Sequence, residues 1–350
     1  MVKVDNSYKK RIFVNKSTDE VMELKKKVED KIKEIEESGL DYNLLSAFEN
    51  DVNANHLSVF KYRKEIFREV NNLLRNRTID EDLQIQLRDI KTNIYFLLIG
   101  SFENLKIFLD SKISTSLVHR TDNDKTDSFK KYKKKFEDLY KSELSSSSFK
   151  KSFFNMFEDV NACPYCNRNF INPIYKDVKL GKDNKNQSPD IEHFYPKSIY
   201  PFLSLSISNL LPSCAFCNKI KSDYDTYDTC KSPYEIIEDD ISFKFEPLNN
   251  QKRLIKVNSK NDIKNAEVLN LDDLYHEVHS KYVNDIFLAT NKNPIENRKY
   301  LKKFFSLSLD TQDKLYKKKF CNYYQEKDFN KQPLSKMTKD LFFHIKENEI

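Results

Sequence analysis

The chain carries CPYC at 163–166, DIEHFYPKS at 190–198 and NLLPSCAFCNKIKSD at 209–223. Two Cys-x-x-Cys pairs therefore bracket a short segment dense in Asp, Glu, His and Asn. Each pair can turn back on itself and present two thiolates to one ion, so Cys163, Cys166, Cys214 and Cys217 predict a closed tetrahedral Zn²⁺ site. Four soft ligands leave no position for water or substrate, which makes this metal structural. The competing reading, two redox Cys-x-x-Cys motifs, needs a thioredoxin-like βαβ context that the flanking sequence does not supply. So small a unit has too little core to hold itself rigid. Zinc then staples the strand that approaches the first pair to the turn that opens a helix after Cys217.

Between the pairs, Asp190-Ile191-Glu192-His193 alternates in polarity. As a strand it places Asp190 and Glu192 on one face and His193 on the other. A strand that ends or bulges at His193 lets Glu192 ligate a metal while the imidazole reaches an attacking water, and Pro196 stops the ladder soon after. Asn218 follows the last thiolate at the first turn of a helix running through Ile220 and Lys221, and its amide oxygen is a hard ligand suited to Mg²⁺. His56, His119, His276, His279 and His344 read as ordinary packed histidines, and Cys230 and Cys321 as buried thiols.

Outward from this stretch the chain reads as helix. Only three of its 350 residues are Gly and 33% are charged, which disfavours a β-sandwich or a Gly-rich nucleotide fold. A formal charge of +6 permits nucleic-acid binding without demanding it. The N-terminal segment MVKVDNSYKKRIF lacks the apolar run of an export signal. The longest apolar run, IYFLLI at 94–99, is far short of the ~20 residues a spanning helix needs. With four of six Cys in metal-like pairs, a cytoplasmic protein is expected.

Ser17 to Gly39 predicts a capped helix with a narrow apolar stripe, either a packed helix hairpin or a partner-binding helix. Leu57–Leu74 predicts a second helix, with Phe67, Val70 and Leu74 on one face. A capping box at Thr78–Glu81 opens a long helix through Leu83, Leu87, Ile90, Ile94 and Leu98, reaching toward Leu109. Residues 119–127 read as a loop. Two tracts, 129–151 and 298–320, interleave lysines with Tyr and Phe, a pattern that grips phosphate backbones or simply forms a solvated helix face. ISFKFE (241–246) and RLIKV (253–257) predict a hairpin that extends the sheet of the cysteine module. A helix is expected over Leu269–Ala289.

The order DIEH…N…CxxCNxxKSD, over about 163–223, resembles the HNH or ββα-metal endonuclease family, and its wording is similar to the HNH domain of the CRISPR effector nuclease. His193, Asn209 and Asn218 fall on the three motif positions. Glu192 stands where the family usually has Asp, and Asn218 where many members have His. The resemblance implies an α+β, mostly α-helical fold, with a small zinc-stapled ββα-metal module embedded between helical regions. Residues 1–148 would be a helical region for partner docking or DNA contact, 149–235 the nuclease module, and 236–350 a hairpin with C-terminal helices. It also implies phosphodiester hydrolysis of nucleic acid, DNA first. In that implied reaction His193 acts as general base, Glu192 and Asn218 hold Mg²⁺ or Mn²⁺, with Asp190 as an alternative ligand or a partner to one, Lys221 contacts phosphate, and Asn209 braces the loop. A neutral imidazole, with its unperturbed pKa of about 6.5, suits that base.

A looser likeness lies in the 230–290 region. There SPYEI, the hairpin and NAEVLNLDDLYHEVH resemble the tail of bacterial HNH proteins encoded beside ATPases in anti-phage systems such as Septu. It implies docking to a partner ATPase or to a second copy. The alternative is a catalytically inactive, zinc-stapled module that binds nucleic acid or a partner.

Overall fold

The computed structural model describes Met1 and residues 61–75, 79–99, 102–118, 126–144, 147–173, 189–247, 253–260, 263–291, 299 and 302–347. The expected helix over 17–39 lies outside these residues. The fold is α+β and mostly helical, with two small two-stranded sheets. The chain divides into a helical unit, Asn6–Phe157 with His193–Leu211, and a cysteine unit, Met1–Asp5 with Glu158–Glu192 and Pro212–Ile350.

In the helical unit, α1 (Lys61–Leu74) packs against α2 (Glu81–Thr92) and α3 (Ile94–Ile99). Ile66, Phe67, Val70 and Leu73 of α1 are buried, as are Leu83, Leu87 and Ile90 of α2 and Ile94, Leu97 and Leu98 of α3. The inward face of α1 thus carries Leu73 rather than Leu74. The apolar stripe expected of one long helix is present, but the helix is not continuous: α2 ends at Asn93, and α4 (Phe102–Asp110) follows α3. The backbone N–H and Nδ2 of Asn93 both donate to the Asp89 carbonyl at 2.9 Å, a polar side chain competing with the ladder. The N-cap of α2 is Asp80, whose carboxylate accepts from the Leu83 amide at 2.9 Å.

Helix α5 (Asp127–Leu139), capped by Thr126, passes into a π-turn at Tyr140–Leu144, and α6 (Ser147–Met156) follows. Phe129, Tyr132, Phe136 and Leu139 of α5 are buried, while Lys130, Lys131, Lys134 and Lys135 face solvent. Lys135 pairs with Glu69 of α1 at 3.2 Å and Lys133 with Glu137 at 3.9 Å. Phe129, Tyr132 and Phe136 of this basic tract are therefore core, while its lysines form the solvated face.

The chain crosses between units at Glu192–His193 and again at Leu211–Pro212. β1 (Asp190–His193) and β2 (Leu210–Ser213) form one two-stranded sheet. Within the helical unit, short 3-10 turns at Pro201–Leu203 and Ile207–Asn209 contact α5 and α3–α4 respectively. Phe102 of α4 stacks on Tyr195 at 5.4 Å and meets Phe194 edge-on at 5.5 Å.

In the cysteine unit, α7 (Ala215–Lys221) follows β2, and β3 (Ile241–Pro247) pairs antiparallel with β4 (Arg253–Ser259). Ile241, Phe243 and Phe245 alternate inward with Ile255 and Val257, while Lys244, Glu246 and Lys256 face out. The hairpin is a sheet of its own and does not extend β1–β2. Outward amides of both strands are taken by helix side chains. The Phe243 and Phe245 amides donate to Asp340 and His344 of α11 (Ser335–Glu347), each at 3.0 Å. The Val257 amide donates to Asp272 of α9 (Leu271–Asn291), which follows the short α8 (Asn265–Val268). These three edge amides are therefore not available to template another sheet.

Beyond α9, Phe304, Tyr316 of α10 (Leu309–Phe320), Tyr324 and Phe342 form an aromatic cluster. The second basic tract therefore also turns aromatics inward, and Lys302, Lys303, Lys317 and Lys318 outward. Cys321 is exposed at a left-handed helix end, and Cys230 is half-buried, so neither is the fully buried thiol expected. Among the described residues, no helix is long and apolar enough to cross a membrane.

Candidate functional site

Cys163, Cys166, Cys214 and Cys217 are all buried, and their sulfurs lie within 4.8 Å of one another. Cys166 Sγ and Cys214 Sγ are 4.0 Å apart. A Zn–S bond of about 2.3 Å gives a tetrahedral edge near 3.8 Å, so the four sulfurs fit one zinc ion with little movement.

Local backbone chemistry builds each half. After the first pair, Asn167 adopts a left-handed conformation (φ 50°) and its amide closes the turn onto the Cys163 carbonyl at 2.6 Å. In the second pair, Cys214 is the N-cap of α7 and its sulfur accepts from the Cys217 amide at 3.5 Å. The Cys214 amide donates to Cys163 Sγ and the Arg168 amide to Cys166 Sγ, both at 3.4 Å. Backbone N–H groups aimed at sulfur favour thiolate over thiol.

Burial pushes the Cys163 thiol well up, and sulfur hydrogen bonds led by Cys163 hold Cys217 up and Cys166 and Cys214 down. Four sulfurs in one buried knot thus share protons, and holding all four as thiolates requires positive charge among them.

Asn167 also anchors the knuckle to the C-terminal helices. Its Nδ2 donates to the Phe329 carbonyl at 2.9 Å, and its Oδ1 accepts from the Lys336 amide at 3.2 Å. The Tyr275 hydroxyl of α9 donates to the Cys166 carbonyl. Sequence reasoning missed Asn167. The available signal was an Asn, tolerant of positive φ, placed directly after a Cys pair.

A second polar patch lies in the same unit. Asp190 and Glu192 share a face of β1, and Asn218 and Lys221 sit one turn apart on α7. Asn218 Nδ2 donates to Asp190 Oδ2 at 2.9 Å, and Lys221 Nζ meets Glu192 Oε1 at 2.6 Å. That ion pair is buried, its side chains 2% and 7% exposed. Lys221, expected as a phosphate contact, is instead committed to the carboxylate. Among the described residues, the four cysteines are the only group of three or more Cys, His, Asp or Glu whose ligand atoms converge. Among the described residues, no third such ligand joins Asp190 and Glu192. Carboxylate and amide oxygens are nonetheless the donor set that Mg²⁺ and Mn²⁺ prefer.

His193 and Asn209 belong to the helical unit. His193 is buried as the last residue of β1, its ring edge-on to Tyr140 at 4.9 Å, with Nε2 2.9 Å from the Ser204 carbonyl. A carbonyl only accepts, so Nε2 carries the proton, and in the neutral tautomer the lone pair then lies on Nδ1. Asn209 is fully buried. Its Oδ1 accepts from the Tyr195 amide at 2.8 Å, and its Nδ2 donates to the Tyr195 and Leu203 carbonyls at 3.0 and 3.1 Å. The Phe194 amide donates to the Asn209 carbonyl at 2.9 Å. One side chain therefore ties the segment after His193 to the turn before β2. Ser204, the partner of the imidazole, carried no signal in the sequence.

No family model matches the chain, and no solved structure does. A 53-residue stretch, 15% of the chain, is 40% identical to the Septu protein PtuB of Bacillus thuringiensis, and it covers 20% of that protein.

Proposed function

We propose that the chain is a zinc-stapled HNH endonuclease, dependent on Mg²⁺ or Mn²⁺, that hydrolyses phosphodiester bonds of nucleic acid, DNA first. The observation that carries this reading is the Asn209 clamp beside His193. A buried amide spends all three of its hydrogen bonds on the backbone around a histidine that is covalently next to Glu192. In the proposed reaction the Nδ1 lone pair of His193 takes a proton from water as the water oxygen bonds to phosphorus and the P–O3′ bond breaks. Base catalysis of this kind contributes about 10²–10⁴-fold. Glu192 and Asn218, with Asp190 as a further donor, are the residues that would hold the divalent ion, which offsets charge on the phosphate and leaving oxygen. The backbone of α7 that carries Asn218 starts at Cys214, so the zinc knuckle fixes where Asn218 sits.

The partial likeness to PtuB supports a place in a Septu-like anti-phage system of the bacterial cytoplasm, with a partner ATPase or a second copy docked on the helical surfaces. One observation favours a different reading, an inactive zinc-stapled binding or docking module: the Glu192 carboxylate is already paired with Lys221. Incubating the zinc-loaded chain, alone and with a Septu-type ATPase, with duplex DNA, single-stranded DNA and RNA separates the two. Cleavage in Mg²⁺ that stops in EDTA supports the nuclease; binding without cleavage in every combination supports the module.

A further inference from the structure

Lys221 is the last residue of α7, on a long flexible stem, yet its ammonium is buried against Glu192 Oε1 at 2.6 Å. A buried ammonium is costly to hold unless paired, and so is a buried carboxylate. Each ion therefore makes the other tolerable, and neither is spare. A divalent cation approaching Glu192 meets a like charge already seated on the oxygen it needs. In a water-poor site that repulsion is strong and poorly screened.

We propose that Lys221 is an internal counter-ion that a divalent metal must displace from Glu192, so that the protein takes up its second metal only in exchange for the lysine. This rests on the nuclease reading and deepens it. The consequence is a threshold: at low divalent-ion activity Glu192 remains neutralised by Lys221 and the centre remains unloaded. Asn218 is held in a parallel way by Asp190, so the two α7 side chains nearest the carboxylates are both engaged with them. A permanent structural salt bridge differs in one measurable respect. Its loss destabilises the unit but does not improve metal binding.

The test is Mn²⁺ binding, followed by the electron paramagnetic resonance of free Mn²⁺ in titrations of the full-length, zinc-loaded chain. Lys221→Met and Lys221→Gln are each expected to bind Mn²⁺ at least about tenfold more tightly than wild type, as removal of a like charge near a divalent ion requires. Adding Glu192→Gln to either variant should remove that tight site. Equal affinity in wild type and in variants that retain zinc overturns the proposal. A Glu192-dependent Mn²⁺ site that ignores Lys221 leaves the nuclease reading standing and refutes only the exchange. No Glu192-dependent site in any form refutes both. Should both lysine variants lose zinc, ¹⁵N-lysine-labelled wild type decides: Mg²⁺ must shift the exchange-protected ammonium signal that the buried Lys221 gives, and an unmoved signal overturns the exchange.

Discussion

Asn209→Ala removes one amide and three hydrogen bonds at once. The Tyr195 N–H, the Tyr195 carbonyl and the Leu203 carbonyl lose partners at 2.8, 3.0 and 3.1 Å, in a place that water does not reach. A buried group left without its partner costs about 1–3 kcal/mol. Three such groups, with some relaxation, put the loss at roughly 3–5 kcal/mol, a large part of the 5–15 kcal/mol that holds a typical domain. Asn209→Asp keeps the acceptor for the Tyr195 amide but loses both donors and sets a negative charge against two carbonyls. It should cost at least as much. Urea unfolding with zinc in excess measures the total, and hydrogen exchange at the Tyr195 amide reports the local break. A loss below about 1 kcal/mol, with Tyr195 exchange unchanged, would show that Asn209 does not brace this segment.

Cys214→Ala should prevent metal binding and disorder α7, because Cys214 is both a candidate ligand and the helix cap, and chelation, which removes the metal alone, should do so less; loss of α7 protection in hydrogen exchange is the readout. His279 is held neutral by burial and, secondarily, by Arg168, which lowers its pKa to about 4 from the usual 6.5. The unfolded chain therefore binds the proton first: this contribution to stability is full above pH 6.5 and falls away between about 6.5 and 4. His279→Gln should flatten that part of a urea-midpoint against pH curve, and an unchanged slope would count against it.

The cysteine spacing made the four-cysteine cluster legible because soft-ligand geometry is local: two residues between thiols suffice to form each half. The apolar stripe through Leu83, Leu87, Ile90, Ile94 and Leu98 was equally legible, yet periodicity could not show that Asn93 would bond back to Asp89 and end the helix. The basic tracts stayed ambiguous in the sequence for a related reason. Composition shows Lys beside Tyr and Phe, but only the helical phase of Phe129, Tyr132 and Phe136 shows that the rings point inward. The hairpin was visible in its alternation, whereas its separateness depends on Asp340, His344 and Asp272, which lie far along the chain from most of the amides they accept from. Long-range polar pairing hid the main surprise too. Nothing local in KIKSD indicates that Lys221 reaches back 29 residues to Glu192.

The central claim, that this chain is a metal-dependent nuclease with His193 as base, meets its most direct test in one comparison. Cleavage rates of wild type and His193→Ala should be measured side by side on the same nucleic acid in Mg²⁺, at equal zinc content. The account predicts Mg²⁺-dependent cleavage by wild type and a loss of about 10²-fold or more in the variant. Equal rates in the two proteins, or no cleavage by either with the partner present, would contradict it.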